Sequence, residues 1–432
     1  MNPTNILKQR WLFLVLFCLI NFFTGALYVW SVFASAIAEH FTTLNPDMPV
    51  TVAMLGSVFG LATGLTPVLM LAGGFINDRF GPRWIILVGG VCLAVGYAMS
   101  AMATAVSELY LSYGLLVGAG TGLINGCTIN SAVKFFPERR GFAGGTVCAC
   151  LGIGGALLPL LANGLIASLG ISQTLFVFAA LLGGVIVLSA LPLKRCPDNL
   201  AEMLGLASKA NTECKSVKDV TWLGMVRTPL FYSLFILFAV MAMLGLMMLS
   251  NISEIAKNQM SFNATLVALS ISVLSLANTA GRFLSGTISD KVGRLLTLGI
   301  ALFIAIGSLL CLYFAKAGDD LLFFVGLLGV GLSFGSSFGV YPGLVADEFG
   351  AKHNSVNFSV MAFAYSLGGF GGPLIIRWVT QNTETQSGNY DLAYLLALGM
   401  AVVGLLCLVW SRQLIQREKV FEADSQAATV NA

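Results

Sequence analysis

The chain has 432 residues, of which 57% are hydrophobic and 10% charged, with a formal net charge of +3 and a mean hydropathy of +0.87. Soluble domains carry about 25% charged residues, and no soluble fold of this size hides so much apolar surface. The composition excludes a soluble enzyme or a nucleic-acid binder and predicts an all-α protein that crosses a membrane many times.

Twelve apolar runs follow in chain order: about 11–38, 51–76, 84–106, 109–133, 141–168, 172–193, 229–252, 262–288, 295–315, 320–346, 355–379 and 390–411. Each reaches the roughly 20 residues that a spanning helix needs. None alternates in the manner of a barrel strand. The first run follows Lys8 and Arg10, but it is too long for the apolar core of a signal peptide, so it reads as the first span.

An even number of spans puts both termini on one side. Nineteen basic residues fall on that side and three (Lys257, Lys316 and Arg377) on the other. Basic loops stay cytoplasmic, so both termini are expected there, in a multi-pass cytoplasmic, inner or plasma membrane. The polar stretch 194–227 divides six spans (1–193) from six (228–412) and reads as a cytoplasmic linker carrying a short surface helix. Residues 413–432 read as a disordered cytoplasmic tail.

The two halves repeat. The loop after the second run is GFINDRFGPR, with Gly74, Asp78, Arg79, Gly81 and Arg83; the loop after the eighth is GTISDKVGR, with Gly286, Asp290, Lys291, Gly293 and Arg294. Asp78 and Asp290 stand 212 residues apart. The glycine permits a sharp turn and the aspartate can accept from amides at a neighbouring helix N-terminus. These ten residues are the candidate gating loops.

Inside the eighth run stands Arg282, the one ionisable residue well within any of the twelve. It lies roughly 10 Å from the cytoplasmic end, at 1.5 Å per residue. A charge there costs about 2.5–3.5 kcal/mol on insertion scales. Two readings meet the cost: a side chain that snorkels back to the headgroups or pairs with Asp290, or a fixed cation facing an aqueous cavity and holding an anion. Asn278, one turn earlier, can orient the guanidinium. Tyr28 and Trp30 on the first span, Phe334 and Phe338 on the tenth, and Tyr365 on the eleventh are the other candidate pocket residues. The tyrosines offer hydroxyl donors and the phenylalanines exclude water.

No nucleotide-binding loop is present, and no Asp, Glu or His lies mid-membrane, so neither ATP hydrolysis nor a dedicated buried proton carrier is expected. No catalytic constellation, cofactor site or metal cluster is evident. The nine cysteines, Cys148 and Cys150 of a CxC among them, read as small space-filling residues.

The paired loops resemble the signature of the major facilitator superfamily over essentially the whole chain. Within it, FFTGALYVWSVF (22–33), KFFPERRGFAGG (134–145) and GRFLSGTISDKVGR (281–294) resemble the oxalate/formate antiporter family. The resemblance implies two pseudo-symmetric six-helix bundles working by alternating access, enclosing a central site for a small carboxylate. It also implies that the arginine at position 282 contacts substrate. Oxalate carriers of that family have a lysine on the eleventh span; Tyr365 stands there in this chain, and no Lys, Arg or His occurs between Asn354 and Ile376. One cation suits one carboxylate, since a second buried negative charge lacks a partner. The expected cargo is therefore a monocarboxylate such as formate, lactate or pyruvate. Protons or a counter-anion are the candidate coupling species, and a monomer in the lipid bilayer is expected. The alternatives are a carrier of a different solute in which Arg282 is structural, and a carboxylate-binding sensor without flux.

Overall fold

The computed structural model describes residues 3–44, 50–197, 200–204, 219–382 and 390–430. Among these, every regular element is helical and twelve are long: α1 (3–44), α2 (Val52–Phe80), α3 (Pro82–Met102), α4 (106–135), α5 (Arg140–Leu169), α6 (Ile171–Ala190), α7 (Pro229–Asn258), α8 (Ala264–Val292), α9 (Arg294–Phe314), α10 (Asp320–Phe349), α11 (Asn354–Asn382) and α12 (Asp391–Val430). Eleven are long and apolar enough to cross a membrane. The exception, α4, holds a wide π-type turn over Tyr110–Val117. Large apolar side chains such as Leu321, Phe370 and Leu160 are exposed along these helices. That is the surface of a protein whose solvent is lipid, so the chain is a multi-pass membrane protein.

Local chemistry sets the boundaries. Thr51, Thr228 and Asn263 each accept from a backbone amide three residues on, capping α2, α7 and α8. Pro82 and Pro229 occupy the first helical position, where no amide is needed. Gly81 (φ 86°) and Gly293 (φ 99°) break α2 from α3 and α8 from α9 in the left-handed region that glycine tolerates. The two repeated loops are therefore the same one-residue hinge. Beyond Arg412 the structure departs from the sequence expectation: α12 continues to Val430. That stretch has no Gly or Pro and is rich in Gln, Glu, Lys, Arg and Ala, all good helix formers.

Two compact units are present. The first comprises residues 1–219 together with 341–360, the adjoining ends of α10 and α11. In its interior Tyr97 and Tyr113 are fully buried and donate their hydroxyls to the carbonyls of Ala26 (3.1 Å) and Leu27 (3.2 Å). These bonds satisfy a 3-10 segment, Gly25–Val29, that interrupts α1 and carries Tyr28. Within the linker Arg195 donates to the Arg79 carbonyl (3.0 Å) and the Cys196 thiol to the Lys134 carbonyl (3.4 Å), so residues 195 and 196 rest on this unit. A short helix follows at Leu200–Met203; much of the expected linker lies outside the described residues.

The second unit comprises 220–340 and 361–432. One end of its core packs Phe262, Phe323 and Phe324 edge-on and stacked. A polar staple closes that end: the Gln259 amide donates to the Leu312 and Ala315 carbonyls and accepts from the Tyr394 hydroxyl (2.9 Å).

Candidate functional site

Arg282 is positioned by glycine. On α10, Gly331, Gly335 and Gly339 recur every four residues and form one stripe along the helix. A methyl group on Gly335 would sit 2.0 Å from the Asn278 carbonyl oxygen, and one on Gly339 would sit 2.2 Å from that of Arg282. Gly281 on α8 is equally close to Leu332. Small residues thus bring the two backbones into contact, as in close-packed membrane helices, and fix the height and facing of Arg282.

Arg282 is buried, 7% exposed as a residue. Its Nε donates to Asn278 Oδ1 at 3.3 Å, and its guanidinium carbon lies 4.9 Å from the centroid of the Phe338 ring, a cation–π contact. The Phe338 ring meets Tyr365 edge-on at 4.9 Å, Phe334 at 6.1 Å and Phe238 at 5.6 Å. Phe334 is itself held by Gly245 of α7, where a side chain would overlap its ring. The second unit therefore brings together Arg282, Asn278, Phe334, Phe338 and Tyr365, with Phe338 and Tyr365 half-buried. The result is one permanent cation and one phenol, walled by aromatic rings.

Tyr28 and Trp30 belong to the first unit. Tyr28 is 41% exposed and lies against Gly155 of α5. Trp30 is 4% exposed and packs on Tyr113 with ring centroids 4.1 Å apart, so its ring is part of that unit's interior.

The two repeated loops differ in their partners. In the first unit Asp78 receives the Lys134 ammonium at 2.6 Å and the backbone amide of Val356 at 3.2 Å, near the start of α11. Asp78 thus caps a helix N-terminus while paired with a cation. Around it Asn77 donates to Ser355, Asn354 to Asn130, Ser359 to the Met70 carbonyl, and Lys134 also to the Lys352 carbonyl. Gly74 makes room, since a methyl group there would lie 2.9 Å from the Ser355 carbonyl oxygen. Arg140 pairs with Asp347 at 2.7 Å. Arg79 and Arg83 lie over the rings of their neighbours Phe80 and Trp84. In the second unit Asp290 pairs with Arg294 across a single turn at 2.7 Å, Arg294 also donates to Ser289, Gly286 is buried and Lys291 is exposed.

A model of the Major Facilitator Superfamily matches residues 11–373. The chain belongs to this superfamily. An MFS-type transporter of Escherichia coli (strain K12), YhjX, is 27% identical over 85% of this chain and 88% of its own. The oxalate:formate antiporter of Oxalobacter formigenes is 27% identical over 86% of each. Among solved structures, the proton:xylose symporter XylE superposes with a TM-score of 0.68 at 17% identity, covering 93% of this chain and 95% of the other, which shows the shared fold. The chain is thus a superfamily transporter with the major facilitator fold, resembling the oxalate/formate antiporter family.

Sequence reasoning left several members of these sites unnamed. Phe238 reads as one more apolar residue of its span. Lys134 stood in a quoted motif, yet nothing local pairs it with Asp78, 56 residues away. The partners Val356 and Ser355 announce themselves by no side-chain signal, because one of them acts through its backbone amide.

Proposed function

We propose that this superfamily transporter carries a small monocarboxylate such as formate, lactate or pyruvate by alternating access, with both termini cytoplasmic. The observation that carries the reading is Arg282, a permanent cation buried in a spanning helix and lying on an aromatic face. An aromatic quadrupole holds a cation with about 0.5–2 kcal/mol. A carboxylate accepting bidentate guanidinium bonds offers more than the ring does. Tyr365, which packs edge-on against the same Phe338 ring, is assigned a second hydrogen bond to that anion. Tyr365 is also the reason to prefer a monoanion: it supplies a neutral donor where oxalate carriers have a lysine. The similarity to an oxalate:formate antiporter supports a small-carboxylate cargo. In this reading Tyr28 adds a polar contact, Phe334 and Phe338 exclude water, and the Asp78 and Asp290 loops bias which side is open.

The test is counterflow in liposomes holding purified protein, preloaded with unlabelled formate, lactate, pyruvate or oxalate, one at a time. Labelled solute accumulates with one monocarboxylate, and Arg282→Gln abolishes the accumulation. Accumulation undiminished in that variant makes Arg282 structural. Binding without flux in folded protein makes the chain a sensor. Exchange of oxalate, with monocarboxylates failing to compete, overturns the single-charge argument.

A further inference from the structure

α1 and α5 run parallel and in register. Trp11 meets Phe142 edge-on at 6.3 Å, and further along both helices Phe22 meets Gly154 so closely that any side chain on that glycine would overlap the Phe22 carbonyl. Beyond it, Gly25 abuts Leu151 and Gly155. Between the ring contact and the backbone contact stand Cys18 and Cys150. Each precedes its partner in the backbone contact, Phe22 or Gly154, by four residues, one helical turn. Both therefore lie on the contacting faces at matching height. The register thus sets the two thiols opposite each other across the helix contact, and both residues are half-buried. Space-filling does not require this arrangement, since two alanines would let the helices approach as well.

The geometry points to a dithiol site at Cys18 and Cys150 that takes a soft, two-coordinate divalent cation, with Hg2+ as the type ligand, and so joins α1 to α5. Thiolates select soft d10 ions. Among the described residues no group of three or more His, Cys, Asp or Glu could hold a metal, so an ion satisfied by two ligands is the one that fits. The surroundings are apolar, where a charged product is costly. A divalent ion with two thiolates is neutral: two S–H bonds break, two S–Hg bonds form and two protons leave to water, with no change of oxidation state. The site is independent of the cargo, because it rests on helix packing alone.

The experiment uses the full chain in detergent and reads alkylation by N-ethylmaleimide, residue by residue, by peptide mass spectrometry. One equivalent of Hg2+ protects Cys18 and Cys150 together, and the protection survives millimolar monothiol, which strips singly bound mercury. Cys18→Ser and Cys150→Ser each lose that resistance, because a single remaining thiolate holds the ion no better than the competing monothiol does. Cys148→Ser retains it. Wild-type protein in which Cys18 and Cys150 alkylate at unchanged rates after one equivalent overturns the proposal. So does a Cys18→Ser variant that, eluting as folded protein, still holds the ion at Cys150 against monothiol.

Discussion

Two helix pairs of this transporter are built alike and used differently. In the first unit α4 lays Gly118, Gly122 and Gly126 against Ala62, Thr66 and Met70 of α2. In the second α10 lays Gly331, Gly335 and Gly339 against Leu274, Asn278 and Arg282 of α8. The interval from Met70 to Arg282 is the one that separates Asp78 from Asp290. Thr66 and Asn278 are separated by it too. One scaffold, a four-residue glycine stripe, therefore presents a thioether in one half and a guanidinium in the other. Close packing at glycine is common to both halves, and at the third step the glycine meets the Met70 side chain in one half and the Arg282 backbone in the other, so the residue at that step carries the chemistry. The loops below part company in the same way: Asp78 ties a helix start and a lysine from another element, whereas Asp290 holds an arginine one turn along its own chain.

Substitutions at matched positions break or sharpen this contrast. The largest effect is expected at Arg282. Charged hydrogen bonds contribute about 1.5–3 kcal/mol, so Arg282→Gln lowers monocarboxylate affinity in a binding titration by roughly 10- to 150-fold. Met70→Leu, the matched change, alters it less than threefold, since volume is kept and no charge is lost. Next come the stripes. Gly335→Ala forces α10 off α8 and costs about 1–3 kcal/mol, read as a lower Tm together with weaker binding. Gly122→Ala, where the methyl group would lie 2.7 Å from the Thr66 carbonyl oxygen, lowers Tm while sparing the cation's geometry. The aspartates follow. Asp78→Asn speeds hydrogen exchange at the Val356 amide, which loses its charged acceptor, whereas Asp290→Asn leaves that amide's exchange unchanged, because Asp290 pairs with Arg294 within its own segment. Equal effects at the two aspartates would sink the distinction drawn between them. At the cation itself the smaller change is Asn278→Ala: it removes the acceptor of the Nε hydrogen bond and weakens binding less than Arg282→Gln does, with Tm unchanged.

Much of this was legible in the sequence for particular reasons. Span number follows from run length, because lipid leaves a backbone few options. The hinges at Gly81 and Gly293 follow from a repeated motif around a glycine. Arg282 is legible because a charge in an apolar run has no cheap explanation. The partners are illegible because they come from distant helices: Phe338 beneath the guanidinium, Val356 at Asp78 and Phe22 against Gly154 each join segments that no local pattern links. The continuation of α12 past Arg412 was missed for another reason. Its polarity suggested disorder, while its lack of helix breakers favoured helix, and the second property prevailed.

The glycine stripe of α10 also makes depth a discrete variable. Gly331, Gly335 and Gly339 seat the α8 backbone at Leu274, Asn278 and Arg282, so a slide by a fraction of a turn takes each carbonyl oxygen out of its glycine notch. The permitted positions are spaced about 6 Å apart, four residues at 1.5 Å each. Arg282 is accordingly set at its level in the membrane as a peg is set in a rack: it holds its notch or shifts by a whole one, and thermal motion has no finer adjustment with which to blur the height at which charge is offered.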